Sequence, residues 1–527
     1  MPSLAPPPLP EQRTHEPASV GRTDSDQLIR KTARGGGIAF AGNVLDKGIR
    51  FPLEILLARV LGAGDYGAYA LGYGLAIIGS ELSMLGLRSG VVRFGALYQG
   101  TGDLERVKGT LRSAFAIATL SSVLAGGVLF VLAKTISDVF DMPGLVNVLR
   151  VFAFAFPFYV VTLMAGQAAL AFHAVTVQVV VTNICRPLAH VILVATLFLL
   201  GFGLLGAVSG FLASCAISAA IGLHLLRRVR PDMASRVRPT YEIGKLMRFS
   251  LPVLFVGVSY ALLGQTDRIM LGYFKASSDL GIYSAAAVIS QQAGVITYSF
   301  GTIFSPIISD LYHRNESDDL DRLYKTVTRW IVSLNLLILL LIILFARQIM
   351  GVFGTEFVAG WPVLVLLSLV SLIGYSVGGA LVGFMLRMSG KQDIELANAA
   401  VMLLANIVLN LWLIPRYGIL GAALATGFSF SLINAARIVE VYKLLRMHPF
   451  GTNYHKPFIA GAAVVLMFVL LYATGVMTPY WIACMVVLCV LYVGVLYLLG
   501  AEPEDKIVWE AIRRRVRNRQ DPESVCP

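Results

Sequence analysis

Charge is scarce in this sequence. Asp, Glu, Lys and Arg make up 14% of its 527 residues and hydrophobic residues 57%, and the mean hydropathy is +0.74. A soluble domain needs a polar shell around its core, so a soluble protein of this size is excluded. Acidic residues are scarcer than basic ones, 31 against 43, for a net charge of +12. Such a balance could point to nucleic acid. Here, however, the basic residues sit in short connections between apolar runs, which reads as membrane topology and contact with anionic lipid, with no nucleic-acid partner. Cysteine is also rare. Cys185, Cys215, Cys484, Cys489 and Cys526 show no CxxC and no Cys/His spacing, so neither a disulfide framework nor a metal site is expected. A Walker loop, GxSxG, HExxH and paired carboxylates on a loop are missing as well. The expectation is a protein that is not an enzyme and holds no cofactor. Any transport would draw on an ion gradient, the membrane potential or the substrate's own gradient.

What the chain does have is apolar segments. Residues 1–36 are proline-rich and polar with no short apolar core near the start, which predicts a disordered cytoplasmic tail and no cleaved signal peptide. Fourteen segments follow, near 37–62, 66–87, 113–133, 147–171, 177–200, 204–226, 247–272, 281–307, 329–346, 361–386, 395–414, 419–440, 458–476 and 479–500. Each approaches the roughly 20 residues that cross a bilayer as a helix. With the tail in the cytoplasm, 33 Lys and Arg fall on that side and 5 on the other (Lys134, Arg150, Lys275, Arg347, Arg416). That asymmetry predicts both termini cytoplasmic in a multi-pass protein of the plasma or inner membrane. The outer connections are short, the longest near 135–146 and 347–360, and leave no room for an outer catalytic domain. The expected fold class is an all-α integral membrane protein of about 14 transmembrane helices. The basic segment 501–527, with Ile507, Val508, Ala511 and Ile512, reads as an amphipathic helix on the inner leaflet.

The chain repeats itself. Asp65-Tyr66-Gly67-Ala68-Tyr69-Ala70 returns as Asp279-Leu280-Gly281-Ile282-Tyr283-Ser284, an offset of 214. Gly203-Leu204-Leu205-Gly206-Ala207 returns as Gly418-Ile419-Leu420-Gly421-Ala422, an offset of 215 shared by Asn183 and Asn398. Two unrelated matches at one offset imply a tandem duplication of six helices. An even number of spans inserts both copies the same way up, giving two lobes around a central cavity, an arrangement suited to alternating access. The lobes fall at 37–228 and 245–446, joined by a cytoplasmic linker at 229–244, with two additional helices in 447–500. The repeated Gly-x-Tyr reads as architecture, the glycine permitting a tight outer turn and the tyrosine anchoring at the interface.

The candidate site lies in the first span. Asn43, Lys47, Arg50 and Glu54 share one helix face with Asp46 beside them, and Pro52 should kink the helix at mid-span. Unpaired charges in hydrocarbon cost several kcal/mol each, so this stripe should line a polar cavity. Arg59 lies nearer the outer end and should snorkel. Arg268 could meet an anionic headgroup, or Asp267 and Arg268 could simply pair near the outer edge. Arg186, beside Pro187, could serve substrate or a neighbouring helix. Glu81, with Arg88 and Arg93 beyond it, is similarly open. His190 and His224 read as partners in interhelical hydrogen bonds.

With those residues in view, the chain resembles the polysaccharide transporters of the multidrug/oligosaccharidyl-lipid/polysaccharide exporter superfamily, the Wzx-type oligosaccharide-lipid flippases. The resemblance is carried by Leu57-Ala58-Arg59-Val60-Leu61-Gly62 with Asp65-Tyr66-Gly67-Ala68-Tyr69, by Asp267-Arg268-Ile269-Met270-Leu271-Gly272, by Gly281-Ile282-Tyr283-Ser284-Ala285-Ala286 and by Gly418-Ile419-Leu420-Gly421-Ala422-Ala423. It covers residues 37–446. It implies a V-shaped twelve-helix core plus two helices, moving a polyprenyl-linked sugar from the inner to the outer leaflet for surface polysaccharide or glycoprotein assembly. The partners would be lipid-linked oligosaccharide, membrane lipids and glycan assembly enzymes. Lys47, Arg50, Arg268 and Arg186 are the positions expected to receive the carrier's phosphate or pyrophosphate, with Asp46, Glu54, Glu81 and Asp267 as coupling or charge partners. The alternatives are a cation-coupled multidrug antiporter of the same superfamily, in which Asp46 or Glu54 would bind the coupling ion, a membrane glycosyltransferase or polymerase, and a non-transporting scaffold.

Overall fold

The computed structural model describes residues 22–230, 237–314, 316–374, 381–389, 392–451, 453–474 and 480–500. Among them every regular element is helical. In hydrocarbon each backbone N–H and C=O must be satisfied within its own segment, and a helix does this. The first half comprises α1 (Arg22–Ser83), α2 (Leu87–Gly100), α3 (Leu104–Val139), α4 (Leu145–Ala171), α5 (Val175–Val179), a π-helical turn at Val180–Cys185, α6 (Arg186–Leu199) and α7 (Gly203–Val229). The second comprises α8 (Ile243–Phe274), α9 (Ser277–Ser290), α10 (Gln292–His313), α11 (Ser317–Leu344), α12 (Ala346–Phe353), a 3-10 turn at Thr355–Gly360, α13 (Trp361–Leu372), α14 (Val382–Met388), α15 (Gln392–Tyr417) and α16 (Ile419–Leu445). Helices α17 (Lys456–Ala473) and α18 (Trp481–Leu498) follow.

Eleven helices among the described residues are long and apolar enough to cross a membrane, or twelve if Phe40–Ser83 with Leu87–Gly100 is one bent span. The expected fourteen are not reached by that measure, because two expected segments fall differently. The spans expected at 37–62 and 66–87 are joined as α1 across the break at Gly62, and the span at 281–307 divides into α9 and α10. Helix α1 begins at Arg22, inside the stretch expected to be a disordered tail. The amphipathic helix expected in 501–527 lies outside the described residues.

Helix α1 is not straight. Its single non-helical residue is Gly62 (φ 72°, ψ 175°), a conformation glycine adopts without a Cβ clash. There the chain folds back on itself: Tyr66 Oη donates to Glu54 Oε2 over 2.8 Å although the two are 12 residues apart, about 18 Å along an unbroken helix. Pro52 lies inside the helix, ten residues before the Gly62 break.

The buried apolar residues form clusters whose membership defines the architecture. The largest draws on both halves of the chain, from Leu53, Tyr69, Phe152 and Phe211 to Leu271, Tyr283, Phe353 and Leu364. All of these lie toward the end of the bundle opposite the basic connections. At the basic end the packing is in two smaller clusters. One cluster joins α2, α3, α4 and Leu226 of α7 with Leu246, Met247 and Phe249 of α8, and another joins α10, α11, α14 and α16. The halves share one core at the far end, while toward the basic end only α8 of the second half packs into the first-half cluster, and α17 and α18 pack on α11.

The two repeat-related glycines form the centre of the fused end. A Cβ on Gly67 would lie 1.8 Å from Ser277 O and 3.0 Å from Gly281 N, and one on Gly281 would lie 2.0 Å from Ala63 O and 3.1 Å from Gly67 N. This corrects the turn reading. Both glycines are inside helices, and their role is the close approach of α1 to α9. The paired tyrosines are not interface anchors either, since Tyr69 and Tyr283 are buried.

Candidate functional site

The charged face of α1 forms as the 3.6-residue period dictates. Arg50 Nε donates to Asp46 Oδ1 at 2.7 Å, one helical turn away. Asn43 Oδ1 accepts from Asn183 Nδ2 at 3.0 Å, which ties α1 to the π-helical turn before α6. Lys47 is exposed and lies within electrostatic reach of Asp46, Arg50 and Glu54. The Arg50 side chain keeps 30% of its surface exposed, so its ion pair is not a dry one. Asp46 and Glu54 each hold a protein donor, Arg50 for the first and Tyr66 for the second.

The π-helical turn at Val180–Cys185 shifts the register just before Arg186, and such turns recur at functional sites. It brings Arg186 and His190 of α6 against α1. Together with Arg50, Leu53, Glu54, Tyr69, Tyr73, Pro187 and Phe211 they line a cleft of about 350 Å³, open space toward solvent included. The Arg186 guanidinium lies 5.2 Å from the Tyr159 ring centre. His190 meets Phe211 edge-on at 5.4 Å. The ring bonds the Ala207 backbone of α7, the expected interhelical bond, while its Nε2 has no hydrogen-bond partner among the described residues. His224 is exposed.

The second half contributes differently. Arg268 Nη1 donates to Gln265 Oε1 at 2.9 Å and lies within electrostatic reach of Glu54 and Tyr66 across the junction. Asp267 does not pair with it. Instead it accepts from Tyr283 Oη at 2.7 Å, Asn410 Nδ2 at 2.9 Å, Asn406 Nδ2 at 3.2 Å and the Thr426 hydroxyl, so the carboxylate is held inside the second half. Glu81 pairs with Arg88 at 2.9 Å, toward the basic end and away from the cleft. Arg93 lies over the Phe249 ring at 4.4 Å.

Arg59 does not merely snorkel. Its Nε donates to the Val352 carbonyl at 2.6 Å, while Glu356 Oε2 accepts from Ala63 N–H at 2.9 Å. A cation sits on the C-terminal end of α12, and an anion sits on the first N–H after the Gly62 break, each placed favourably for a helix end. These contacts cross between the halves at the fused end.

Of the residues singled out in the sequence, Arg50, Arg186 and Glu54 meet in one cleft. Lys47 and Arg268 stand near it, and Glu81 and Asp267 do not join it. Sequence reasoning missed Tyr69, Tyr73 and Phe211 in the cleft lining, and Asn406, Asn410 and Thr426 around Asp267. The i, i+4 spacing of Tyr69 with Tyr73 and of Asn406 with Asn410 put each pair on one helix face, which was a readable signal.

The helical fold in two halves, closed at one end, is that of multi-pass membrane transporters. It superposes on the inward closed lipid II flippase MurJ with a TM-score of 0.67 at 12% identity, covering 88% of this chain and 97% of that one. On an inward-facing multidrug resistance MATE family transporter of the MOP superfamily the TM-score is 0.62 at 14% identity, covering 77% and 94%. The chain belongs to the polysaccharide biosynthesis protein family, whose model matches residues 56–362. Among curated relatives it is 28% identical to the probable flippase AglR of Haloferax volcanii, over 39% of this chain and 44% of that protein. It is 25% identical to the succinoglycan biosynthesis transport protein ExoT of Rhizobium meliloti, over 61% and 62%. The matches thus span about two-fifths to three-fifths of those relatives' own length.

Proposed function

We propose that this chain is a flippase that carries a lipid-linked oligosaccharide, on a polyprenyl phosphate or pyrophosphate carrier, from the inner to the outer leaflet for surface polysaccharide or glycoprotein assembly. The observation that carries the reading is the gathering of Lys47, Arg50, Arg186 and Arg268 about one cleft beside the junction of the halves. An anion crossing hydrocarbon needs cations along its path, and these four come from three different helices. The lipid tail stays in the bilayer while the sugar passes between the lobes. The names of two relatives, a flippase and a polysaccharide transport protein, support the same substrate class.

Orientation follows from the 33 to 5 asymmetry of Lys and Arg. It puts the basic end and both termini in the cytoplasm of a plasma or inner membrane, so the structure has its outer side closed. The lobes of 37–228 and 245–446 then alternate access by opening the junction around Gly67 and Gly281. The role is transport and not catalysis. An ion-coupled drug antiporter is the weaker reading because Asp46 is already neutralised by Arg50. The test is deletion and complementation. Loss of the gene should strand lipid-linked oligosaccharide on the inner leaflet and remove the surface glycan; a drug-sensitive strain with normal glycan would decide for the antiporter.

A further inference from the structure

Two neighbouring groups in the cleft make opposite demands on a ligand. Arg186 and His190, one turn apart on the same face of α6, are 8% and 9% exposed. Arg186 Nε, a donor, has no partner among the described residues, and neither has His190 Nε2. The other nitrogen of the His190 ring bonds the Ala207 backbone. Ala207 lies inside α7, where the helix takes its N–H, so the ring donates to its carbonyl. In that tautomer Nε2 is an acceptor. Buried polar groups left unmet cost free energy that a native fold seldom leaves uncompensated. The group that answers both must accept from Arg186 and donate to His190. An ionised phosphoryl oxygen only accepts and an ammonium only donates, whereas a hydroxyl does both. The rest of the lining suits a sugar ring. Leu53, Pro187, Phe211, Tyr69 and Tyr73 offer apolar and aromatic faces to its C–H surfaces, and a cleft of about 350 Å³, open space included, has room for one ring and not for a chain. Arg50 is already committed, its Nε to Asp46 and its side chain also to Tyr73.

We propose that Arg186 and His190 are a sugar-reading pair: one hydroxyl of the glycan ring next to the carrier accepts from Arg186 Nε and donates to His190 Nε2. Side-chain rotamer changes of the kind binding sites commonly make bring the two nitrogens to the ligand. The pair rests on the transport reading for its substrate, a lipid-linked oligosaccharide, and adds to it the group that is recognised. The ring next to the carrier is the one within reach, because Lys47 and Arg50 stand beside the same cleft as cations for the phosphate to which that ring is joined. A sugar lacking the hydroxyl leaves both nitrogens unmet, so the cleft discriminates among glycans by their first ring.

Full-length protein in nanodiscs, isotope-labelled at the histidine nitrogens, tests this by magnetic resonance. It is titrated with farnesyl phosphate and with the farnesyl phosphate esters of glucose, mannose and galactose, which differ in the direction of single hydroxyls. At least one sugar ester should shift the Nε2 resonance of His190, assigned by its loss in His190→Phe, and farnesyl phosphate should not. The deoxy form of that sugar, lacking the recognised hydroxyl, should bind about tenfold more weakly. His190→Phe keeps the ring's volume and should bind both forms alike, with its retained affinity for farnesyl phosphate as the check on folding. His190→Gln restores an acceptor and should recover part of the discrimination. An Nε2 resonance unmoved by all three esters, or moved as far by farnesyl phosphate, overturns the pair, and so does discrimination that survives in His190→Phe. An Nε2 resonance that is hydrogen-bonded without ligand and unchanged by it assigns the nitrogen to water and overturns the pair as well. A shifted resonance with intact surface glycan after gene deletion keeps the pair and removes the flippase reading. Lost glycan after deletion with a silent resonance removes the pair and leaves that reading standing.

Discussion

At the scale of single residues, the cleft and the buried ion pairs make separate demands. Arg50 lines the cleft while its Nε holds Asp46 and its side chain also bonds Tyr73. Arg50→Ala should leave the protein inserted and folded but reduce glycan export by about tenfold or more, whereas Arg50→Lys should be milder, since charge survives and only the forked geometry goes. Quantifying surface glycan against membrane protein level checks both. Arg437 and Glu395 are a structural contrast. They meet at 2.7 and 3.0 Å in a forked pair with 12% and 7% of their side chains exposed. Glu395→Ala should cost about 3 kcal/mol by stranding a buried cation, while Glu395→Met with Arg437→Met should restore much of it. Thermal unfolding in detergent reads the difference, and equal destabilisation by the single and double variants would refute it.

At the scale of elements, the linker into α8 is fastened to the first lobe. Glu242 accepts from Tyr98 and pairs with Arg106 at 3.1 Å and Lys245 at 3.4 Å, while Lys108 Nζ donates to Val237 O at 3.1 Å. The Tyr98 hydroxyl first, and then Lys245 and Arg106, hold the Glu242 carboxyl below its usual range. Its contribution is complete above the ordinary carboxylate pKa of about 4.3 and is lost as pH falls through the depressed value. Amide protection at 237–245, taken relative to the intrinsic exchange rate, should therefore fall as pH drops below about 4.3, and Glu242→Gln should remove that dependence. The other cross-lobe device is the exchange of Arg59 and Glu356 between helix ends. Glu356→Gln with Arg59→Ala should weaken outer closure by about 1 kcal/mol, a roughly fivefold shift toward outward opening. Thiol labelling of a cysteine placed at Gly64, where space is open apart from Ser277 Oγ at 3.7 Å, would report it.

At the scale of the whole molecule, the far-end core is shared by both halves, and the basic end holds two smaller clusters with α8 packed into the first. The halves cross at Gly67 and Gly281, where any side chain would strike backbone within about 2 Å. Gly281→Val should therefore wedge the outer side apart. Spin-label distances between the lobes should lengthen at the outer end and shorten at the inner end, with export reduced. Unchanged distances in a folded Gly281→Val protein would mean that the lobes do not pivot about this crossing.

Much of this was legible in the sequence for a physical reason. Long apolar runs between basic connections can satisfy their backbone in hydrocarbon only as helices, so the class of fold followed from composition and spacing. The duplication at 214 to 215 residues was likewise a one-dimensional signal, and the charges on α1 fell on one face by helical period alone. What pairs with what was decided only by tertiary structure. Asp267 found Tyr283, Asn406, Asn410 and Thr426 instead of Arg268, and Arg186 met Arg50 because a π-helical turn and the Gly62 fold-back set α6 against α1. Residues more than a hundred positions apart carry no periodicity linking them. Their meeting depends on how closely two backbones approach, which Gly67 and Gly281 permit but do not announce.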